Sequence, residues 1–457
     1  MKKNDKTELF ESYPIPKAVA SLCIPTVLSS LVMILYNLAD TFFVGALNDA
    51  VQNAGVTLAA PVLLAFNAVT NLFGLGSSSK MSRALGKKDY DTVYRSSAFG
   101  FYGALFFAVL ISLACAMFRA PLLELLGADD VTRKATSDYL FWTVICGAVP
   151  AVMNVIMSYL IRSEGASLHA GIGTMSGCIL NIILDPFFIL PRFLGMGAAG
   201  AGLATFLSNC FALIYFLVLT YVKRGDTFVC LKLKMFGFRR EIVKDVCWVG
   251  IPAAIQNLLN VTGMTILNNF TAAYDAAAVA AMGISHKISL VPVYFSMGLS
   301  QGIMPLISYN YAAENYGRMK RGFKFTTVIS MLLIVVLAAA MYIFAGAVTT
   351  AFLDDEQVIA YGTRFLRAMT LAMPFLSFDF TAVAVFQACG MGGKSLVFAI
   401  ARKLVLEIPA LFILDKLAPL YGLAYAQLVS EVILAATAAL VIVSMFRKLG
   451  KGDLQAD

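Results

Sequence analysis

Two carboxylates stand inside apolar stretches of the first half of this chain, each with a polar neighbour at helical spacing. In MILYNLADTFFVG (33–45), Asp40 follows Tyr36 by four residues, so a helix presents both on one face. A carboxylate there takes up and releases a cation, or it is a helix-end aspartate reaching interfacial water. In GCILNIILDPFFIL (177–190), Asn181 and Asp185 are again four apart, and Pro186 withdraws one backbone donor from the turn. Amide, carboxylate and freed carbonyl make an oxygen-rich site suited to a hard monovalent cation or, on the carboxylate, a proton. The alternative is a polar contact between packed helices. Thr205 and Asn154 are candidates for further oxygens in the same cavity, and Tyr139 is a weaker one.

The second half carries different groups. Counting from Asp40 by the internal repeat described below reaches Leu267, and the segment around it offers Gln256, Asn257 and Asn260 instead. Asp379, in PFLSFDFTAVAVFQACG (374–390), is its clearest buried carboxylate, with Glu407 and Glu431 further on. Two roles stand open for Asp379: a second cation or substrate site together with Gln256, or an ion-pair partner for Lys287, Arg367, Arg402 or Lys403.

These residues need elements that hold them away from water, and the composition supplies them. Of 457 residues 60% are hydrophobic and 14% charged, whereas soluble domains carry about a quarter charged. Apolar runs fall near 18–46, 53–78, 93–118, 135–160, 168–190, 198–222, 245–271, 276–306, 325–349, 364–388, 396–415 and 421–446. Each is long enough for a helix across about 30 Å of hydrocarbon, where backbone polar groups must be satisfied within the segment. With the N-terminus inside, 25 of the 35 Lys and Arg fall in inner segments, among them Lys2, Lys3, Lys6, Lys17 and Lys451. That bias predicts both termini on the cytoplasmic face of a bacterial or archaeal-type inner membrane. It also assigns the +8 charge to membrane topology, not to a nucleic-acid partner.

The polar stretch 223–244 divides the chain near its middle, and motifs recur across it. IPTVLSSL (24–31) faces IPAAIQNL (251–258), FGLG (73–76) faces MGLS (297–300), SEGASL (163–168) faces ACGMGGKSL (388–396) and GAGLA (200–204) faces LYGLA (420–424). A recurring period implies duplication. The expected fold is an all-α integral membrane protein of twelve transmembrane helices in two pseudo-symmetric six-helix bundles. Its segments are a cytoplasmic 1–17 without a cleaved signal, an N-lobe 18–222, a linker 223–244, a C-lobe 245–446 and a cytoplasmic tail 447–457.

Eight scattered cysteines, with no CxxC, argue against disulfides and structural zinc, and two histidines offer little to a metal. No GxxxxGK[ST], HExxH or TVGYG-like motif is present, which speaks against a built-in ATPase, a membrane zinc protease and a potassium channel. An ion gradient is left as the driving force. The 20 Met and 34 Phe read first as packing, and secondarily as an adaptable apolar cavity.

ADTFFVG (39–45), SRALGKKD (82–89), RSEGA (162–166) and NIILDP (181–186) carry a resemblance along nearly the whole chain to the multidrug and toxic compound extrusion (MATE) transporters. The resemblance implies a V-shaped pair of six-helix bundles exporting amphipathic, often cationic compounds in exchange for Na⁺ or H⁺. It further implies a cation site at Asp40, Asn181, Asp185 and Thr205, supported by Tyr36 and Asn154. Na⁺ there would lie among Asp40, Asn181, Asp185 and Thr205. In a second branch of the family acidic C-lobe groups are implicated, and Asp379 matches one, while Gln256 stands where that branch has an acid. The expected partners are small organic substrates and the lipid bilayer, with no tightly bound cofactor, for a protein acting as a monomer and not as an enzyme. A flippase for a lipid-linked precursor is the rival, against which stands the scarcity of basic residues inside the spans.

Overall fold

The computed structural model describes residues 3–352 and 355–451. Lys2 and the end of the tail, 452–457, lie outside the described residues. Among the described residues every regular element is helical: α1 (Lys3–Glu11), α2 (Ile15–Gly45), α3 (Ala50–Val69), α4 (Gly76–Gly86), α5 (Tyr90–Met117), α6 (Arg119–Leu125), α7 (Arg133–Leu140), α8 (Ala148–Ser163), α9 (Ser167–Ile189) and α10 (Ala198–Val222). There follow α11 (Arg240–Ala272), α12 (Ala276–Ala312), α13 (Tyr316–Ile343), α14 (Ala345–Phe352), α15 (Glu356–Ala388), α16 (Gly392–Ile400), α17 (Ile408–Leu417) and α18 (Ala426–Lys451).

Among the described residues ten helices are long and apolar enough to cross a membrane, and the pair 133–145 and 148–163, bent by 45°, makes an eleventh if taken as one span. Its bend follows a π turn at Phe141–Ile145 and falls at Gly147, which suits the known causes of sharp kinks. The remaining apolar run, 396–415, is not one regular helix: α16 and α17 flank a π segment, Ala401–Glu407, that holds Arg402, Lys403 and Glu407. Those charges keep it from reading as lipid-facing.

Helix starts repeat with the halves. Asp49 caps α3 through Val51 N–H (2.8 Å) and Asp275 caps α12 through Ala278 N–H (2.6 Å). Asp89 caps α5 through Thr92 N–H, and Asn315 caps α13 through Arg318 N–H, both at 3.1 Å. Each pair is 226 residues apart, so the duplication extends to the side chains that satisfy the first free amides of a helix.

The chain forms two compact units, 1–13 with 28–254 and 14–27 with 255–457. In the first, α8, α9 and α10 pack on one another, with α5 against α8 and α3 against α7. Close backbone approach matters here: a Cβ on Gly250 would stand 2.7 Å from the Leu72 backbone, so α11 meets the π turn Thr70–Leu75 only because that residue is glycine. In the second unit α15 is central, packed by α12, α13 and α18. The apolar window of α15 is 72% buried, against 22–50% in the other single-helix spans.

Candidate coupling site

Within the first unit, the periodicity of α9 projects Asn181 and Asp185 inward, where they are 1% and 0% exposed. The helix runs on through Pro186, whose missing N–H frees the carbonyl one turn earlier. With its amide turned so that both atoms meet complementary partners, Asn181 donates to Asp185 Oδ2 (2.9 Å) and accepts from Thr205 N–H (3.1 Å). In the opposite orientation it donates to Thr205 Oγ1 at 3.4 Å.

Tyr36, on α2, hydrogen-bonds the Thr205 side chain and lies within electrostatic range of Asp40 and Tyr139. Tyr139, 5% exposed on α7, faces both Asp40 and Asp185, and the two carboxylates are within electrostatic range of one another. Four helices of one unit, α2, α7, α9 and α10, thus contribute two carboxylates, an amide and three hydroxyls.

Asp40 Oδ1 is buried and has no hydrogen-bond partner among the described residues, the condition of an acceptor that awaits a proton or a cation. Neither Asp40 nor Asp185 forms a salt bridge to Lys or Arg among the described residues. Nor do the described residues contain a cluster of three or more His, Cys, Asp or Glu suited to a metal ion. The donor set is oxygen only, and it fits an alkali cation or a proton better than a transition metal.

Asn154 stands one step away. Its Nδ2 donates to the Pro150 carbonyl and to Asn209 Oδ1, both at 2.8 Å. Sequence reading missed Asn209, although it follows Thr205 by four residues on α10, the same spacing that singled out Asn181 and Asp185.

In the second unit the structure gives Asp379 a partner. Arg402 pairs with Asp379 and, through Nε at 3.2 Å, with Glu431, and the three are 3%, 1% and 0% exposed. Next to them Lys403 donates to Glu407 at 2.6 Å. Of the cations that sequence reading offered for Asp379, Arg402 is the one in contact, while Arg367 turns to the Tyr342 carbonyl. Gln256 lies part-buried on α11 in the same unit.

Comparison with known proteins gives this geometry a family. The MatE family model matches twice, at residues 25–187 and 252–413, reproducing the internal repeat. The multidrug export protein MepA of Staphylococcus aureus (strain NCTC 8325 / PS 47) is 30% identical over 446 residues, 97% of each chain. MepA of Staphylococcus saprophyticus is 30% identical over 444 residues, 96% of each chain. A solved structure described as the outward-facing conformation of a multidrug resistance MATE family transporter superposes with a TM-score of 0.91 at 26% identity, covering 97% of this chain and 98% of that one. A transporter from Pyrococcus furiosus Vc1, whose description reports reverse polarity of the binding pocket, gives 0.89 at the same identity and coverage. An all-helical chain with paired apolar halves, matched over nearly its full length by multidrug exporters, belongs to the MATE family of multidrug efflux transporters.

Proposed function

We propose that the protein is a secondary active antiporter that exports amphipathic, cationic organic compounds in exchange for Na⁺ or H⁺, with coupling at Asp40 and Asp185. The observation that carries this reading is the convergence of Asp40, Asp185, Asn181, Thr205, Tyr36 and Tyr139 in one unit, with Asp40 Oδ1 left without a partner. An uncompensated carboxylate at membrane depth costs several kcal/mol even on lenient scales of about 2.5–3.5 kcal/mol per charge, so ion uptake there changes the energy of the surrounding packing.

Uptake of one cation cancels one of the two carboxylate charges, and release restores the repulsion between Asp40 and Asp185. A ligand shifts a conformational equilibrium only by its difference in affinity for the two states. The coupling ion therefore drives export if the state that binds it has Asp40 and Asp185 near one another. Asn181 orients Asp185 and joins it to α10 through Thr205, while Tyr36 joins α2 to the same threonine. The four sequence-selected oxygens at Asp40, Asn181, Asp185 and Thr205 are the proposed Na⁺ set, and the export of organic compounds follows from the kinship with MepA.

The test is efflux of a fluorescent cationic dye from proteoliposomes under an imposed Na⁺ or H⁺ gradient, for wild type and Asp40→Asn. Gradient-driven movement abolished in Asp40→Asn is the expected result. Movement that survives the substitution removes the coupling role, and no movement under either gradient returns the flippase reading.

A further inference from the structure

The N-terminal residues read in sequence as a polar cytoplasmic segment of mixed charge, and α1 is anchored by a buried ion pair. Lys6 is 3% and Glu164 2% exposed, and Lys6 Nζ lies 2.5 Å from Glu164 Oε1. Lys6 also donates to the Asp226 carbonyl at 2.7 Å. Glu164 Oε2 accepts from Thr227 Oγ1 (3.0 Å) and Phe228 N–H (2.5 Å). Lys3 adds a bond to the Tyr94 hydroxyl at 3.0 Å and lies 5.1 Å over the Phe228 ring. Leu9 and Phe10, both 1% exposed, close the other side. Gly165, at φ +86°, leaves room for the Phe10 ring, which a Cβ there would approach to 2.9 Å.

Three stretches of chain meet at this knot, and each leads somewhere. Glu164 sits in the turn between α8 and α9, the helices that carry Asn154, Asn181 and Asp185. Directly after α1 the chain leaves the first unit, at 13/14. Residues 226–228 begin the connection to α11, within which the chain leaves it again, at 254/255. The remainder of that connection is held on α5, where Cys230 N–H donates to Ser97 Oγ (3.0 Å) and Tyr102 donates to the Leu231 carbonyl (2.7 Å).

We infer that the Lys6–Glu164 knot is a coupling device: it fixes the α8–α9 turn to two of the three connections through which the chain passes between its units, so that events at the ion site reach those connections through Glu164. The inference rests on the antiporter reading above, and in it Glu164 and Lys6 position other groups and touch neither ion nor substrate. A surface lysine of an untethered helix would contribute almost nothing, whereas breaking one side of a buried, hydrogen-bonded pair leaves an uncompensated charge.

Full-length protein carrying Lys6→Met, Lys6→Arg or neither answers the question through three readouts: hydrogen exchange by peptide, equilibrium dye binding, and gradient-driven dye efflux. In Lys6→Met, exchange in 5–12 and in 226–231 is expected to rise together by about tenfold or more, since both segments lose one shared anchor. Efflux turnover should fall by about tenfold while dye affinity stays within about twofold, the signature of a lost conformational step and not of a damaged site. Lys6→Arg, which keeps the charge, should restore most of the turnover. If Lys6→Met cannot be purified folded, Lys3→Ala removes the Tyr94 and Phe228 contacts and leaves the pair, with a smaller change of the same kind expected. Loosened segments with wild-type turnover overturn the inference, as does a parallel loss of dye affinity. A wild-type protein that moves no dye at all removes the antiporter reading, and this inference with it.

Discussion

Replacing Arg402 by Met tests whether the buried charges of the second unit stabilise one another as the geometry says. The guanidinium touches Asp379, lies 3.2 Å from Glu431 and stacks 4.9 Å over the Phe380 ring. Asp379 and Glu431 are 1% and 0% exposed, so no water replaces the cation when it is removed. Breaking such a pair costs about 3–5 kcal/mol, because a charge is left buried without compensation, and here two are left. At 1.4 kcal/mol per decade that is roughly a hundredfold to several-thousandfold in the folded population. Glu431→Gln is the control: it removes one of two carboxylates and leaves Arg402 with Asp379, so its cost is expected near one lost hydrogen bond, about 1–1.5 kcal/mol. Replacing all three together (Arg402→Met, Asp379→Asn, Glu431→Gln) should regain much of the loss, since no net charge remains in the site. The assay is the fraction of purified protein that stays monodisperse after heating, read by size-exclusion chromatography at matched detergent. A melting point of Arg402→Met indistinguishable from wild type, or Glu431→Gln as damaging as Arg402→Met, refutes the reasoning.

Two shorter predictions concern the first unit. Gly250→Val places a branched side chain where a single Cβ already meets the Leu72 backbone at 2.7 Å, and overpacking against backbone is expected to cost about 3 kcal/mol or more; recovery of folded protein by the same chromatography checks it. Asn154→Ala and Asn209→Ala should each destabilise, and the double variant should cost less than their sum by about 0.5–1.5 kcal/mol, because both remove one 2.8 Å bond; thermal melts of the double-mutant cycle measure it.

The spans and the residues of the candidate site were legible because both rest on local spacing. Asn181 with Asp185, and Tyr36 with Asp40, are set by the helical repeat alone, and an apolar run long enough to cross the bilayer leaves a helix as its only satisfied backbone. What escaped depends on contacts between segments distant in sequence. Arg402 was one of several cations offered to Asp379, because the choice among them is made by packing of α15, the Ala401–Glu407 turn and α18. The π geometry of that turn leaves no mark in a pattern read at 3.6 residues per turn, and it explains why the run 396–415 looked like an ordinary span. Lys6 escaped for a related reason: in KKNDK a lysine reads as solvated, and only the partners 158 and 220 residues away make it a buried one.

The duplication makes the difference between the halves informative. Both halves place carboxylates in apolar surroundings, but they compensate them differently. In the second unit Asp379 and Glu431 share Arg402, and Glu407 takes Lys403, cations covalently fixed to one helical turn. A guanidinium tethered this way cannot leave, so its contribution is to the energy of one packed arrangement. In the first unit no such cation faces Asp40 or Asp185 among the described residues, and Asp40 Oδ1 lacks even a hydrogen-bond donor. Whatever neutralises that pair must come from solution, and what comes from solution can also depart. The relation is testable by transplantation: Thr205→Arg puts a fixed cation beside Asp185 and Asn181, and it should abolish gradient-driven dye efflux while leaving the protein folded. Efflux that continues under an imposed Na⁺ or H⁺ gradient would mean that the exchangeable charge is not held at these carboxylates.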